Sequence, residues 1–121
     1  MITIEDFSKI EIRVGKVVEA AAVKDSDKLI REVVDFSEGA NKDFKVIFSG
    51  IRKWYTPEEL VGKKFLFVTN IEPKKMPSFV VNANGEMEPE YSQGMILAVD
   101  GPEGKPIPVL AEELPVGAKV R

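Results

Sequence analysis

The chain reads as an all-β protein: a five-stranded barrel with one short helix between its third and fourth strands. Two observations predict this. Short runs alternating apolar and polar residues recur along the chain, separated by turn residues such as Asp25-Ser26-Asp27 and Ser37-Glu38-Gly39-Ala40-Asn41. Between two such runs lies a compact helix signal, from Thr56 to Gly62. With 121 residues the chain can bury one real core and is too short for two, so 1–121 reads as a single domain.

Thr3 followed by Asp6 is close to a capping-box pattern and predicts a capped N-terminal turn, with Ile4 and Phe7 facing the barrel or a partner. Ile10 through Ala20 alternates on either side of Gly15, where the period slips as in a coiled or bulged first strand. Lys28 through Phe36 is strand two and Phe44 through Ser49 strand three. Thr56 caps the helix, Pro57 occupies its first position, Glu58 and Glu59 favour its dipole, and Gly62 suits its end. Lys63 through Asn70 is strand four and Gly94 through Val99 strand five. Between them Phe79-Val80-Val81 and Glu86-Met87-Glu88 flank Asn82-Ala83-Asn84-Gly85, a β-hairpin pattern. The tail, Ile107 through Leu110 and Leu114 through Val120, carries prolines that suit edge segments or a packed extension. Phe36, Phe44, Phe48, Phe65 and Phe67 read as core or barrel wall. Five strands with a helix at that place describe an OB-fold. An SH3-like barrel or a small β-sandwich competes, but neither expects the helix there.

Composition removes much chemistry. There is no cysteine and no histidine, so disulfides, thiolate or imidazole metal sites and His-based triads cannot be built from this chain. No paired-carboxylate or Walker-type pattern appears, and the expectation is a non-enzyme without metal or cofactor. No apolar run approaches a membrane span and the start lacks the basic and apolar regions of a signal peptide, which makes a cytoplasmic protein the default. The net charge is -3, unevenly spread: residues 1–75 carry 14 Lys/Arg against 13 Asp/Glu, residues 76–121 only 3 against 7. That split describes an acidic, solvated C-terminal third, or a mildly basic barrel face with acidic flanks.

Several local motifs then coincide in order. They are Ile12-Arg13-Val14-Gly15-Lys16-Val17; Asp27-Lys28-Leu29; Ser49-Gly50-Ile51; Tyr55 through Lys63; Asn70 through Met76; Ser92-Gln93-Gly94-Met95; and Pro115 through Val120. Together they resemble the tRNA-binding domain family, whose members stand alone or form the C-terminal part of methionyl-tRNA synthetases. The resemblance implies an OB-fold, commonly homodimeric, that binds tRNA structure with little preference among species. It also implies an aminoacyl-tRNA synthetase as a further partner. By the same resemblance Lys74, Lys75, Ser92 and Met95 fall on the RNA surface, with Gln93 in the same motif and Lys28 in the Asp-Lys-Leu segment. Arg31, Arg52, Lys53 and Trp54 form a second set of candidates. Lys28 and Arg31, three apart on a strand, face opposite ways. Trp54 could stack a base, whereas Tyr55 stands where a family core aromatic anchors the helix. One departure is an insertion: 15 residues, Pro77 through Tyr91, separate Met76 from Ser92 where family members use only a few. It carries Glu86, Glu88 and Glu90 and no basic residue, and could cover the groove, repel phosphate or extend a dimer contact. A secretion-chaperone-like dimer on the same scaffold is the alternative function, favoured by the acidic balance and by Phe79-Val80-Val81.

Overall fold

The longest strand organises the rest. In the computed structural model, which describes residues 1–121, β1 spans Ile12–Ala22. Its second half pairs antiparallel with β2 (Ile30–Asp35), and its first half with β4 (Lys64–Val68). One strand serves two neighbours in this way by coiling, and the register slips between Val17 and Glu19. The alternation in the sequence had put that break at Gly15. The glycine meets a different need: a Cβ there would lie 2.5 Å from Val34 Cγ1 and 2.6 Å from Phe36 Cε1. Close packing across the barrel, not a bulge, excludes a side chain at this position.

β3 (Phe44–Ser49) pairs with β2, and β7 (Met95–Ile96) pairs with β4, giving the sheet order β3-β2-β1-β4-β7. The open edges of β3 and β7 then meet through a seam built partly from side chains. The Gln93 N–H donates to the Val46 carbonyl at 2.8 Å, and the Val46 N–H donates to Gln93 Oε1 at 2.8 Å. The Phe48 N–H donates to Ser92 Oγ at 3.0 Å. The result is a nearly closed five-stranded antiparallel barrel, the OB architecture.

Several boundaries move for local reasons. Strand two starts at Ile30 rather than Lys28, because the Ser26 hydroxyl accepts the N–H groups of both Lys28 and Leu29 and holds them in a turn. Strand four ends at Val68 rather than Asn70, whose side chain instead accepts from the Glu11 N–H and donates to the Lys9 carbonyl. The fifth strand divides at Leu97. Beyond it β8 (Ala98–Asp100) leaves the barrel and pairs with β9 (Pro106–Pro108).

Inside the barrel Val17, Ile30, Val34, Phe36, Ile47, Ile51, Leu60, Phe65 and Phe67 form one cluster. Phe36 and Phe67 meet edge to face at 5.5 Å between ring centroids. Phe44 stays apart: it lies at the end of β3 and is 51% exposed. The plug is α2 (Pro57–Leu60), whose Thr56–Glu59 capping box is complete in both directions and whose Leu60 is buried in the core. At the N-terminus α1 (Ile4–Ser8) carries the same device between Thr3 and Asp6, but Ile4 points into solvent. The C-terminal tail returns along the first half of β1, where the Val14 N–H donates to Ala118 and the Val120 N–H to Ile12. Arg13 locks this junction, donating to Asp43, to the Phe36 and Gly117 carbonyls, and lying over the Phe36 ring.

The residues between Met76 and Ser92 belong to a two-stranded ribbon, β5 (Lys74–Val81) with β6 (Met87–Ser92). It begins at the basic pair itself, with Lys74 opposite Ser92 and Lys75 opposite Tyr91. At its tip the Asn82 Oδ1 accepts the N–H groups of Asn84 and Glu86, and Gly85 adopts φ +79.

Candidate functional site

Three chain segments converge on one side of the barrel: the β1–β2 turn, the stretch following β3, and the start of β5. Between them lies a basin of about 530 Å³ lined by Ser26, Lys28 and Leu29 from the first, Gly50, Lys53 and Trp54 from the second, and Lys74 through Pro77 from the third. A second basin of about 350 Å³ shares Leu29, Gly50, Lys74 and Met76 with it and runs on to Ser92, Gly94 and Met95. The two therefore form one groove. Gly50 lies where they join, and a Cβ added there would meet no heavy atom within 4 Å.

The groove gathers most of the residues singled out in the sequence. Lys28, Lys53, Trp54, Lys74 and Lys75 line its first part, Ser92 and Met95 its second. All four lysines are exposed and none forms an ion pair; the salt bridges of the chain involve Arg13, Arg31 and Lys45. No acidic residue lines the first basin, while Glu72 lines the second. The outcome is a locally cationic concavity on a chain whose net charge is negative.

Other candidates have structural work. Arg31 meets Glu90 on the ribbon through a fork of hydrogen bonds at 2.8 to 3.0 Å, and Ser78 adds its hydroxyl at 2.8 Å. Burial of Glu90 pushes its carboxyl upward, but Arg31 and Ser78 outweigh that and hold it below the usual carboxylate range. The pair pins the ribbon to β2 and neutralises Arg31 (Lys28, on the turn, stays free). Arg52 donates to the carbonyls of Val23 and Ser26, and its N–H donates to the Lys28 carbonyl, so it staples two walls of the groove together. The Ser92 hydroxyl both accepts from Phe48 and donates to the Gly94 carbonyl, and Ser92 is buried. Gln93 is held in the seam through its backbone N–H and its Oε1. The SQGM motif thus closes the barrel and, by closing it, sets Met95 on the surface at 45% exposure.

Sequence reasoning passed over Leu29, Gly50 and Met76 as lining residues, Glu90 as the pin, and one buried acid. Glu32 lies on the inward face of β2, fully buried between Ile30 and Val34. Its Oε1 accepts from the Ser49 hydroxyl at 2.7 Å and its Oε2 has no partner. Burial pushes its pKa up to about 8, against a smaller downward pull from Ser49. Ile30-Arg31-Glu32-Val33-Val34 does not alternate in the sequence, and only the burial along β2 shows that Glu32 shares the inward face with Ile30 and Val34.

The model of a family described as "Putative tRNA binding domain" matches residues 12–119. Methionine–tRNA ligase of Deinococcus radiodurans is 39% identical over 122 residues, covering 100% of this chain and 16% of that enzyme. The Bacillus subtilis ligase is 40% identical over 120 residues, covering 99% of this chain and again 16% of the enzyme. The chain thus spans about one sixth of the length of these curated relatives. Among solved structures, a MetRS-related protein from Pyrococcus horikoshii superposes with a TM-score of 0.80 at 36% identity, covering 100% of this chain and 98% of that one. The CsaA chaperone protein from Picrophilus torridus superposes at 0.78 with 28% identity, covering both chains fully.

Proposed function

This chain belongs to the tRNA-binding domain family, and on that premise we propose that it binds tRNA through backbone and shape contacts in the lysine-lined groove, as a non-catalytic module. The observation that carries the reading is the convergence of Lys28, Lys53, Lys74 and Lys75, all without carboxylate partners, on one concave surface. Each phosphate neutralised there releases counterions, so affinity falls as salt rises. The OB scaffold offers this face, between its β1–β2 turn and the segment after β4, to nucleic acid in many unrelated settings. Contacts of this kind read backbone, not base identity, and give little preference among tRNA species.

The similarity to parts of methionine–tRNA ligases supports a role beside or within a synthetase, in the cytoplasm, where tRNA is charged. A homodimer is part of the same reading. Ile4, Val99, Ile107 and Leu110 are each at least 45% exposed, apolar surface that a second copy could bury. A monomeric mass in solution at micromolar protein would reject the dimer.

The test of the main reading is a titration with mixed tRNA at two salt concentrations. Lys74→Ala with Lys75→Ala is expected to weaken binding about tenfold, equally across tRNA species, and to lower the salt slope by about two. Absence of binding at low salt rejects the reading. A slope equal to that of the parent removes those two lysines from the contact set.

A polypeptide-binding role is the second reading, and one observation favours it. Phe79, Val81, Met87 and Tyr91 lie on the ribbon face opposite Ser78 and Glu90, and each is at least 46% exposed. The likeness to CsaA chaperones points the same way. Binding of an unfolded polypeptide in the absence of any tRNA affinity decides for it.

A further inference from the structure

Lysines alone would suit the outside of any RNA helix, yet the larger basin is not lined by lysines alone. Resting on the tRNA-binding reading, we infer that this basin is a pocket for an unpaired nucleotide, its base stacked on the Trp54 indole and its flanking phosphates met by Lys28, Lys74 and Lys75.

The apolar part of the lining carries the argument. Leu29, Trp54, Met76 and Pro77 share the basin with the lysines. A duplex keeps its bases stacked and offers sugar and phosphate at its surface, which would leave these four side chains against polar groups. An extruded base has a flat apolar face and a charged backbone on either side, the combination that the lining complements. A basin of about 530 Å³ has room for it.

Trp54 lines this basin and also an adjoining depression that it shares with Tyr55, Glu103 and Lys105. Its neighbour Tyr55 packs against the core cluster and donates its hydroxyl to the Pro106 carbonyl at 2.8 Å. Trp54 is outside that cluster and only half-buried. Its backbone is fixed, since the N–H groups of Trp54 and Tyr55 both donate to the Ile51 carbonyl at 3.0 Å. The Lys53 ammonium lies over the indole ring, 5.5 Å from its centroid, a cation–π contact that engages one of its two faces and leaves one for a base. The opposing walls are held by the Arg52 staple to Val23 and Ser26. Little ordering therefore remains to be done when a base enters, which favours affinity. The nearby acids Asp25 and Asp27 line a separate depression with Arg52 and not this basin.

Trp54 is the only tryptophan in the chain, so its emission reports the site directly. The full chain is titrated with mixed tRNA, with a short oligouridylate that stays unpaired, and with the same oligouridylate annealed to oligoadenylate. The unpaired strand is expected to quench Trp54 and to bind at least about tenfold more tightly than the annealed pair. By competition, Trp54→Leu should lose at least about fivefold for the unpaired strand, while Trp54→Phe, which keeps a ring, retains most of the affinity. Gly50→Leu, whose Cβ meets no heavy atom within 4 Å, places a side chain in the groove and should abolish the quenching. If tRNA binds with the expected salt dependence but Trp54 emission does not change and these variants bind like the parent, the pocket is overturned and the broader reading stands. Equal affinity for the annealed pair also overturns the pocket. Failure of tRNA to bind at low salt removes the reading itself, and the pocket with it.

Discussion

Glu32→Gln is expected to stabilise the protein by about 3 kcal/mol at pH 7 and to change it little below pH 4. The buried carboxyl titrates at about 8 in the folded state against an ordinary value of 4.5. Between those two values the folded chain holds a proton that the unfolded chain has released. Stability therefore falls as pH rises through that window and levels off above it. The glutamine keeps an acceptor for Ser49 and cannot ionise, so its stability should be flat over the same range. Thermal midpoints of parent and variant from pH 4 to pH 9 measure this directly. Parallel curves would show that Glu32 does not titrate as described. Glu90 contributes with the opposite sign, because its carboxyl is held low: its stabilisation is present above the ordinary carboxylate range and is lost as pH falls below it. Together the two place maximal stability near about pH 5, on the acid side of neutrality.

Arg31→Met is expected to cost about 2–3 kcal/mol, a larger loss than that of Arg31→Met combined with Glu90→Met. The single change leaves the Glu90 carboxylate, its side chain only 9% exposed, with the Ser78 hydroxyl alone. The double change removes the stranded charge as well. Denaturant unfolding of the parent, both single variants and the double variant forms the cycle that measures the coupling; additive losses would mean that the pair does not hold the ribbon. RNA binding separates this pin from the groove lysines. Arg31 is already neutralised by Glu90, so Arg31→Met should leave the salt slope of tRNA binding unchanged, whereas loss of Lys74 and Lys75 lowers it.

Much of this was legible in the sequence for reasons that are local. Period-two alternation marks a strand wherever one face is buried, and Thr56 with Pro57 and Glu59 marks a helix start whatever lies around it. The order of those signals was enough for the barrel and its plug. Gly15 shows where local reading stops. A glycine in a strand is compatible with a bulge or with close approach, and only the positions of Val34 and Phe36 across the barrel distinguish the two.

The groove shows the same limit from the functional side. The motifs named Lys28, Lys74 and Lys75, but 45 residues separate the first of these from the second, and their meeting at one basin is a product of strand order. Ser92 and Gln93 have the chemistry of RNA-contacting residues, and nothing in their sequence neighbourhood reveals that the edge of β3 and the Gly94 carbonyl would take up their polar groups. By itself, the sequence determined the all-β barrel, its capped helices, the absence of cysteine and histidine chemistry, and the residue types available for RNA. The tertiary structure alone decided which cations are free and which are spent, that Glu32 is buried and Glu90 paired, and that Trp54 faces a basin instead of the core. The reason is physical: strand and helix signals depend on neighbours along the chain, whereas desolvation, ion pairing and concavity depend on neighbours in space that the chain brings together only on folding.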